Sequence, residues 1–357
     1  MATDRLSSGP AAQDQDPAAA GGPCILITGG AGYVGSHAVL ELLKSGFRAV
    51  VLDNLVTGFR GAVHPCAAFV EGCVEDDMLV RRLLRDHDVR GILHCAGSTI
   101  APESVRDPLK YYRNNTSASR SLLESAVAER VHHFVFSSTA SVYGLSGPSP
   151  VSEESALQPA TPYGRSKLLT EWMLDDVAGS YPFNYCTLRY FNVAGADPRG
   201  RIGPSSVSAT HLIKVAVEVA VGKRSEVTVY GNDFTTPDGT GVRDYIHVSD
   251  LARVHVLALD ELFARPGLSH VLNCGYGRGH SVLEVLDMVG QEAGRPIPHV
   301  VGPRRPGDLD RVVADNRRLK ECLAWRPQYD LRAIVADALR WEARLSRAET
   351  SDVPGKN

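Results

Sequence analysis

The chain has 357 residues, enough for two domains or for one core with a large elaboration, and is 43% hydrophobic and 22% charged. Its 38 basic and 41 acidic residues leave a net charge of -3, which argues against a protein held to nucleic acid by broad phosphate electrostatics. No stretch approaches the ~20 apolar residues that cross a membrane, so no membrane partner is expected.

Residues 1–22 are rich in Ala, Gly, Pro and Asp and lack the charged start and apolar core of a signal peptide; they read as a disordered tail. Cys24–Thr28 and Ala49–Leu52 are apolar runs around a helical pattern from Val34 to Lys44, a strand, helix and strand with Gly46 ending the helix. Gly91–Cys95, His133–Ser137 and Tyr185–Phe191 are further buried-strand candidates, and Leu122–Ala128 supplies the helix before the second. The alternation predicts an α/β fold, a Rossmann-type doubly wound parallel sheet covered on both faces, over residues 23–192. Beyond it, turn-dense segments at Asp197–Ser206 and Tyr230–Gly241 alternate with helical patterns at His211–Val221, Val248–Ala264 and Ser281–Ala293. An amphipathic pattern from Leu331 to Leu345 closes a smaller α/β substrate-binding domain, expected over 193–242 and 269–345, with 346–357 as a second tail. The seven cysteines form no CxxC pair, so a reduced, cytoplasmic compartment is expected and no metal site.

Gly29, Gly32 and Gly35 stand between the first strand and the first helix, where glycines permit a tight turn and close approach of backbone to a pyrophosphate. The helix N-terminus adds free amides and a favourable dipole. A glycine-rich turn alone is a weak signal, but Asp53 ends the second strand, where a carboxylate accepts from ribose hydroxyls and repels a 2'-phosphate. The predicted cofactor is therefore NAD.

Tyr163 and Lys167 are four residues apart and share a helix face, with Cβ atoms roughly 5–6 Å apart. A phenol of pKa ~10 becomes a base near neutrality if cations favour the phenolate, which for a shift to ~7 requires about 4 kcal/mol. Such a pair is common by chance on a solvated helix. It gains weight from the hydroxyl run Ser137-Ser138-Thr139 after a buried strand, where Thr139 or Ser138 can share a substrate proton with Tyr163.

Together these residues resemble the extended short-chain dehydrogenase/reductase family, over about 24 to 345, and within it the UDP-glucose 4-epimerases. The likeness also rests on Asp53–Gly58, Tyr111–Asn114, Leu188–Ala196, Asp238–Val248 and Arg304–Asp308. It implies NAD contacts from Gly29, Gly32, Tyr33, Val34, Gly35, Asp53, Asn54, Leu55, Thr57, Gly58, Cys73, Val74, Cys95, Ala96, Gly97, Thr99, Asn114, Tyr163, Lys167 and Phe191. A UDP-sugar would meet Thr139, Tyr163, Asn192, His211, Leu212, Tyr230, Arg243, Arg305 and Asp308, the arginines gripping the diphosphate. It implies reversible C4 epimerisation, with Tyr163 as base, Thr139 as its partner, and a 4-keto sugar that turns in the site. It also implies a homodimer through helices near Leu109–Ala128 and Ser166–Val177, and a return of the segment 243–268 to the first domain.

Rival readings remain. In a sugar-nucleotide 4,6-dehydratase an acidic pair follows the threonine, whereas Ala140 and Ser141 stand here. A net dehydrogenase needs exchangeable cofactor, and a non-catalytic NAD- or UDP-sugar-binding protein would be expected to lack an intact Tyr/Lys pair. Cys73 replaces an acidic residue by the adenine, and Thr99 a lysine of some relatives. Val312 replaces a bulky residue that gates the sugar pocket, which opens UDP-N-acetylhexosamines and UDP-pentoses as alternative substrates. His94 and His247 read as packing histidines.

Overall fold

A computed structural model describes residues 21–144, 149–205, 211–305 and 308–351, with side chains to 347. Of the expected tails at 1–22 and 346–357, residues 1–20 and 352–357 therefore lie outside the described residues, as do Ser206, Pro306 and Gly307. The strands are β1 (Cys24–Thr28), β2 (Arg48–Asp53), β3 (Ala68–Glu71), β4 (Val89–His94), β5 (His133–Thr139), β6 (Asn184–Tyr190) and β7 (Asn192–Ala194). There follow β8 (Val227–Tyr230), β9 (Val242–His247), β10 (His270–Cys274), β11 (Gly279–Ser281), β12 (His299–Gly302) and β13 (Arg311–Val312). The helices are α1 (Tyr33–Lys44), α2 (Asp77–Asp86), α3 (Ala101–Arg106), α4 (Pro108–Tyr111), α5 (Ala118–Ala128) and α6 (Pro162–Ser180). They continue as α7 (Leu212–Ala220), α8 (Val248–Ala264), α9 (Val282–Ala293), α10 (Arg317–Leu323) and α11 (Leu331–Ser351).

Seven parallel strands form one sheet in the order β10-β6-β5-β4-β1-β2-β3. Because strand side chains alternate between faces, each strand feeds two cores. Ile25, Ile27, Val51 and Leu93 pack on α1 and α8 with Leu42 and Leu259. Leu26, Val50, Ile92 and Phe134 face the other way, onto Val80 of α2, Leu122 of α5 and Leu174 of α6. Both faces are covered, as near-continuous apolar strands require. The strand order reverses between β1 and β4, and in such sheets ligands bind outside the carboxyl ends of the strands at that point.

A second unit gathers β7, β9, β11 and β13 in a small sheet and pairs β12 with β8. Ile213 and Val217 of α7, Val285 and Leu286 of α9, and Ile334 and Val335 of α11 make its core. The chain returns to the large sheet later than expected. The strand β9, inside the anticipated segment 243–268, belongs to the small sheet, whereas α8 packs on α1 and β10 becomes the edge of the large one. The closing helix also runs past 345 to Ser351.

Candidate functional site

The carboxyl ends of β1, β2, β4 and β5 bring most of the predicted cofactor residues to one edge. Gly29 adopts φ +73°, and a Cβ there would stand 2.6 Å from the Ala96 amide nitrogen. A Cβ on Gly35 would meet the Gly29 carbonyl oxygen at 2.2 Å, and one on Gly58 the Ala31 carbonyl carbon at 2.7 Å. The loop thus lies flat against its neighbours, as a backbone must that approaches a pyrophosphate. Helix α1 starts after Gly32 with no side-chain cap and no acidic residue in its first turn, so its amides and dipole are free for an anion. Val34 and Leu55 are partly buried against the α1 side of the sheet. Tyr33 donates from its hydroxyl to the Gly195 carbonyl at 2.7 Å and ties this helix to the end of β7.

Asp53, 8% exposed, accepts from the Ala31 amide and the Leu55 amide, both at 2.9 Å. Its carboxylate therefore braces the glycine loop against the end of β2. Asn54 donates to the Cys73 sulfur at 3.6 Å; Thr57 and Cys73 are exposed, and Val74 is partly buried against the α2 face of the sheet.

The loop after β4 holds Cys95, Ala96, Gly97 and the exposed Thr99. Ser137 donates to the Cys95 sulfur at 3.1 Å, while burial pushes that thiol up to about 11. Asn114 donates to the Ser98 hydroxyl at 3.1 Å from a π-helical turn, Tyr112–Ser117. The neighbouring Asn115, 1% exposed, was not anticipated as part of the site. It accepts from the Ser98 amide at 2.7 Å and donates to the Ser98 carbonyl at 3.0 Å and the Ser166 hydroxyl at 2.9 Å, clamping this loop to α6. The i, i+1 pair of asparagines in Tyr111–Asn115 was the signal that could have found it.

Thr161 caps α6 by accepting from the Gly164 amide, with Pro162 at the first helical position, and so sets the phase of the helix. Tyr163 and Lys167 face the end of β5. The Thr139 hydroxyl oxygen accepts from the Ser141 amide at 3.1 Å and Thr139 is hydrogen-bonded to the Tyr163 hydroxyl, which favours the phenolate. Burial outweighs that bond, so the Tyr163 phenol lies above its ordinary value. Lys167 is 3% exposed, donates to the Ser137 carbonyl at 2.9 Å and sits 4.9 Å over the Phe136 ring, and burial brings it down to about 8.

Ser138 does not share this position. Its hydroxyl donates to Glu171, which is paired with Arg189, so Thr139 alone of the two candidates meets Tyr163. His94 is more than a filler: its ring nitrogens are bonded to Thr28 at 2.6 Å and Ser119 at 2.8 Å, and burial and the Lys167 charge hold it at about 3.

Apart from Thr139 and Tyr163, the predicted sugar-nucleotide residues come from the second unit and the loops around it. Asn192 lies in β7 opposite Tyr245 of β9, and Phe191 is buried with Val142, Tyr143 and Leu168. Arg243 donates to the Val242 and Leu309 carbonyls, both at 2.9 Å, and pairs with Asp308 at 3.4 Å. The Arg305 guanidinium lies 3.8 Å from the centre of the Tyr230 ring. Tyr230 with Arg305, and Arg243 with Asp308, are thus two matched pairs, and Asp308 is an arginine's counter-ion. His211 is exposed before α7, with Leu212 partly buried in the helical core beside it. No group of His, Cys, Asp and Glu able to hold a metal occurs among the described residues.

A flat glycine loop under a free helix N-terminus, a carboxylate at the end of β2 and a buried Tyr/Lys pair fit a dinucleotide. The chain belongs to the NAD dependent epimerase/dehydratase family, whose model matches residues 25–275. It is 47% identical to the UDP-glucose 4-epimerase of Azospirillum brasilense over 330 residues, 92% of this chain and 94% of that protein. Its fold superposes with a TM-score of 0.89 on a UDP-glucose-4-epimerase from Stenotrophomonas maltophila with bound NAD and formylated UDP-arabinopyranose, at 38% identity over 91% of this chain and 99% of that one. The UDP-glucose 4-epimerase from Bifidobacterium longum in complex with NAD+ and UDP gives 0.85, at 36% identity over 90% and 98%.

Proposed function

We propose that the protein inverts C4 of a UDP-hexose, interconverting UDP-glucose and UDP-galactose through a 4-keto sugar, with NAD as its resident cofactor. The observation that carries this reading is the Tyr163 hydroxyl, hydrogen-bonded to Thr139 at the carboxyl end of β5, one helical turn from Lys167. Gly29, Gly32, Gly35 and Asp53 hold the adenosine and pyrophosphate half of NAD, and Asn114, Tyr163 and Lys167 the other half. When bound, NAD supplies the acceptor and then the donor of the C4 hydride, and it carries the positive charge that the buried phenol lacks. Tyr163 takes the proton of the 4-hydroxyl and returns it, with the Thr139 hydroxyl steadying the ionised phenol. Arg243 and Arg305 hold the diphosphate; their forks are pre-oriented by Asp308, by two carbonyls and by the Tyr230 ring. A firm hold on UDP leaves the hexose free to turn and present its opposite face.

Val312 lies in β13 opposite Arg243 and packs, half-buried, against the core of Val142, Tyr143, Leu168 and Phe191. The partner is a second copy of the chain. Val105 of α3, Leu109 of α4 and Trp172 of α6 are 63, 77 and 54% exposed, on three helices that pack together where the dimer helices were expected. Trp172→Asp would then lower the mass in light scattering from two chains to one, and an unchanged mass would count against this face. All seven cysteines are free thiols, in keeping with a reducing cytoplasm.

The experiment is incubation of the purified protein with UDP-galactose, no reductant added, and resolution of the nucleotide sugars. A stable mixture with UDP-glucose, approached from either side, is expected; unchanged UDP-galactose would reject the assignment.

A further inference from the structure

Helix α6 presents three polar side chains at helical spacing toward β5: the half-buried Tyr163 and the buried Lys167 and Glu171. The reaction described above uses the first two. Glu171 is 6% exposed and its partner Arg189, on β6, 4%. The carboxylate accepts from Arg189 Nη2 at 2.6 Å and Nε at 3.2 Å, and its Oε1 also accepts from the Ser138 hydroxyl. Arg189 donates onward to the Tyr143 hydroxyl at 2.9 Å, and Tyr143 donates to Asn273 at 2.6 Å. Asn273 donates to the Val151 carbonyl at 2.9 Å, and Val151 is bonded through its amide to the Val313 carbonyl at 2.8 Å, beside β13.

An ion pair so deeply buried gains little net stability, because desolvation of two charges offsets most of their attraction. What the pair does reach is the reacting hydroxyls. Ser138 and Thr139 are consecutive at the end of β5, so anchoring Ser138 on Glu171 fixes the backbone from which Thr139 reaches Tyr163. Facing Lys167 are Tyr163 and Glu171 from its own helix, His94 at the end of β4, Cys95 in the loop after it, and Tyr190 of β6 at the Ser137 hydroxyl. Of these only Glu171 is a carboxylate.

We propose that Glu171 is a positioning residue of this reaction: braced by Arg189, it fixes the Ser138–Thr139 end of β5 against Tyr163 and faces Lys167 with a negative charge. This rests on the epimerase reading. The Glu171 charge raises the Lys167 pKa against the downward pull of burial, so removing it makes the ammonium lose its proton at lower pH.

The test is steady-state turnover of UDP-galactose by the holoenzyme, wild type against Ser138→Ala, Glu171→Gln and Glu171→Asp, with kcat followed against pH. Ser138→Ala leaves the ion pair in place and is expected to lower kcat about tenfold with KM within about twofold, the loss of about 1.4 kcal/mol made only in the transition state. Glu171→Gln is expected to lower kcat at least as far and to move the alkaline limb to lower pH, and Glu171→Asp to bring the limb back. Because Glu171→Gln strands a buried guanidinium, the other two variants decide the matter if it fails to fold. Wild-type kcat in Ser138→Ala, an alkaline limb that stays at the wild-type pH in Glu171→Gln, or one that shifts in Glu171→Asp, would overturn the proposal while leaving the epimerase reading intact. An inactive wild type would instead overturn that reading and this one with it.

Discussion

At the scale of single residues, the proposed chemistry turns on a phenol that its own protein makes harder to ionise. Burial raises Tyr163, the Thr139 bond opposes it, and Lys167 is itself brought down to about 8. Such a tyrosine works as a base only when a cation stands near, which ties activity to the bound cofactor. Tyr163→Phe should therefore lower kcat by about 100-fold or more while NAD still co-purifies, measured by its release on denaturation. Loss of NAD together with activity would show the hydroxyl to be a binding group. The Tyr163/Lys167 pair was legible because helical period alone puts i and i+4 on one face. Glu171 continues the same spacing, yet a glutamate on a helix usually reads as solvated. The choice between Ser138 and Thr139 stayed open because a strand that ends in a turn, here the 3-10 turn Ala140–Val142, does not reveal its last facing residue to pattern reading.

At the scale of elements, the cofactor edge is shaped by a helix that departs from regular geometry. The π-helical turn Tyr112–Ser117 carries Asn115 under the loop after β4, and a Cβ on Gly97 would stand 2.8 Å from the Asn115 side-chain oxygen. Asn115→Ala would orphan the Ser98 amide and free the loop from α6. NAD retention on gel filtration should weaken about tenfold or more, the expected size of losing one or two buried hydrogen bonds. Full retention would mean the clamp is redundant. Long elements with apolar periodicity, such as β1 and α8, were readable almost to the residue. The two- and three-residue strands β11 and β13 are too short to show a period, and β3 is a half-exposed edge. Their pairing is decided by distant segments, and with it the later return of the chain to the large sheet.

At the scale of the whole molecule, three buried histidines couple folding to pH. Burial holds His94 at about 3 and His37 and His255 at about 4, against 6.5 when unfolded. Between these values the unfolded chain binds protons that the folded one refuses. Their contribution is present above 6.5 and is lost as pH falls toward 4, so the urea midpoint should drop steadily through that range. A flat midpoint would contradict the buried neutral rings. The near-neutral charge of -3 fits the proposed local grip on anionic ligands, by one glycine loop and two arginines, rather than a broad field. The central claim is that C4 is oxidised and then reduced again without exchange. UDP-galactose deuterated at C4, incubated with the protein and no added NAD, should give UDP-glucose that keeps its deuterium at C4. Loss of the label to solvent, or turnover that demands NAD in proportion to product, would contradict it.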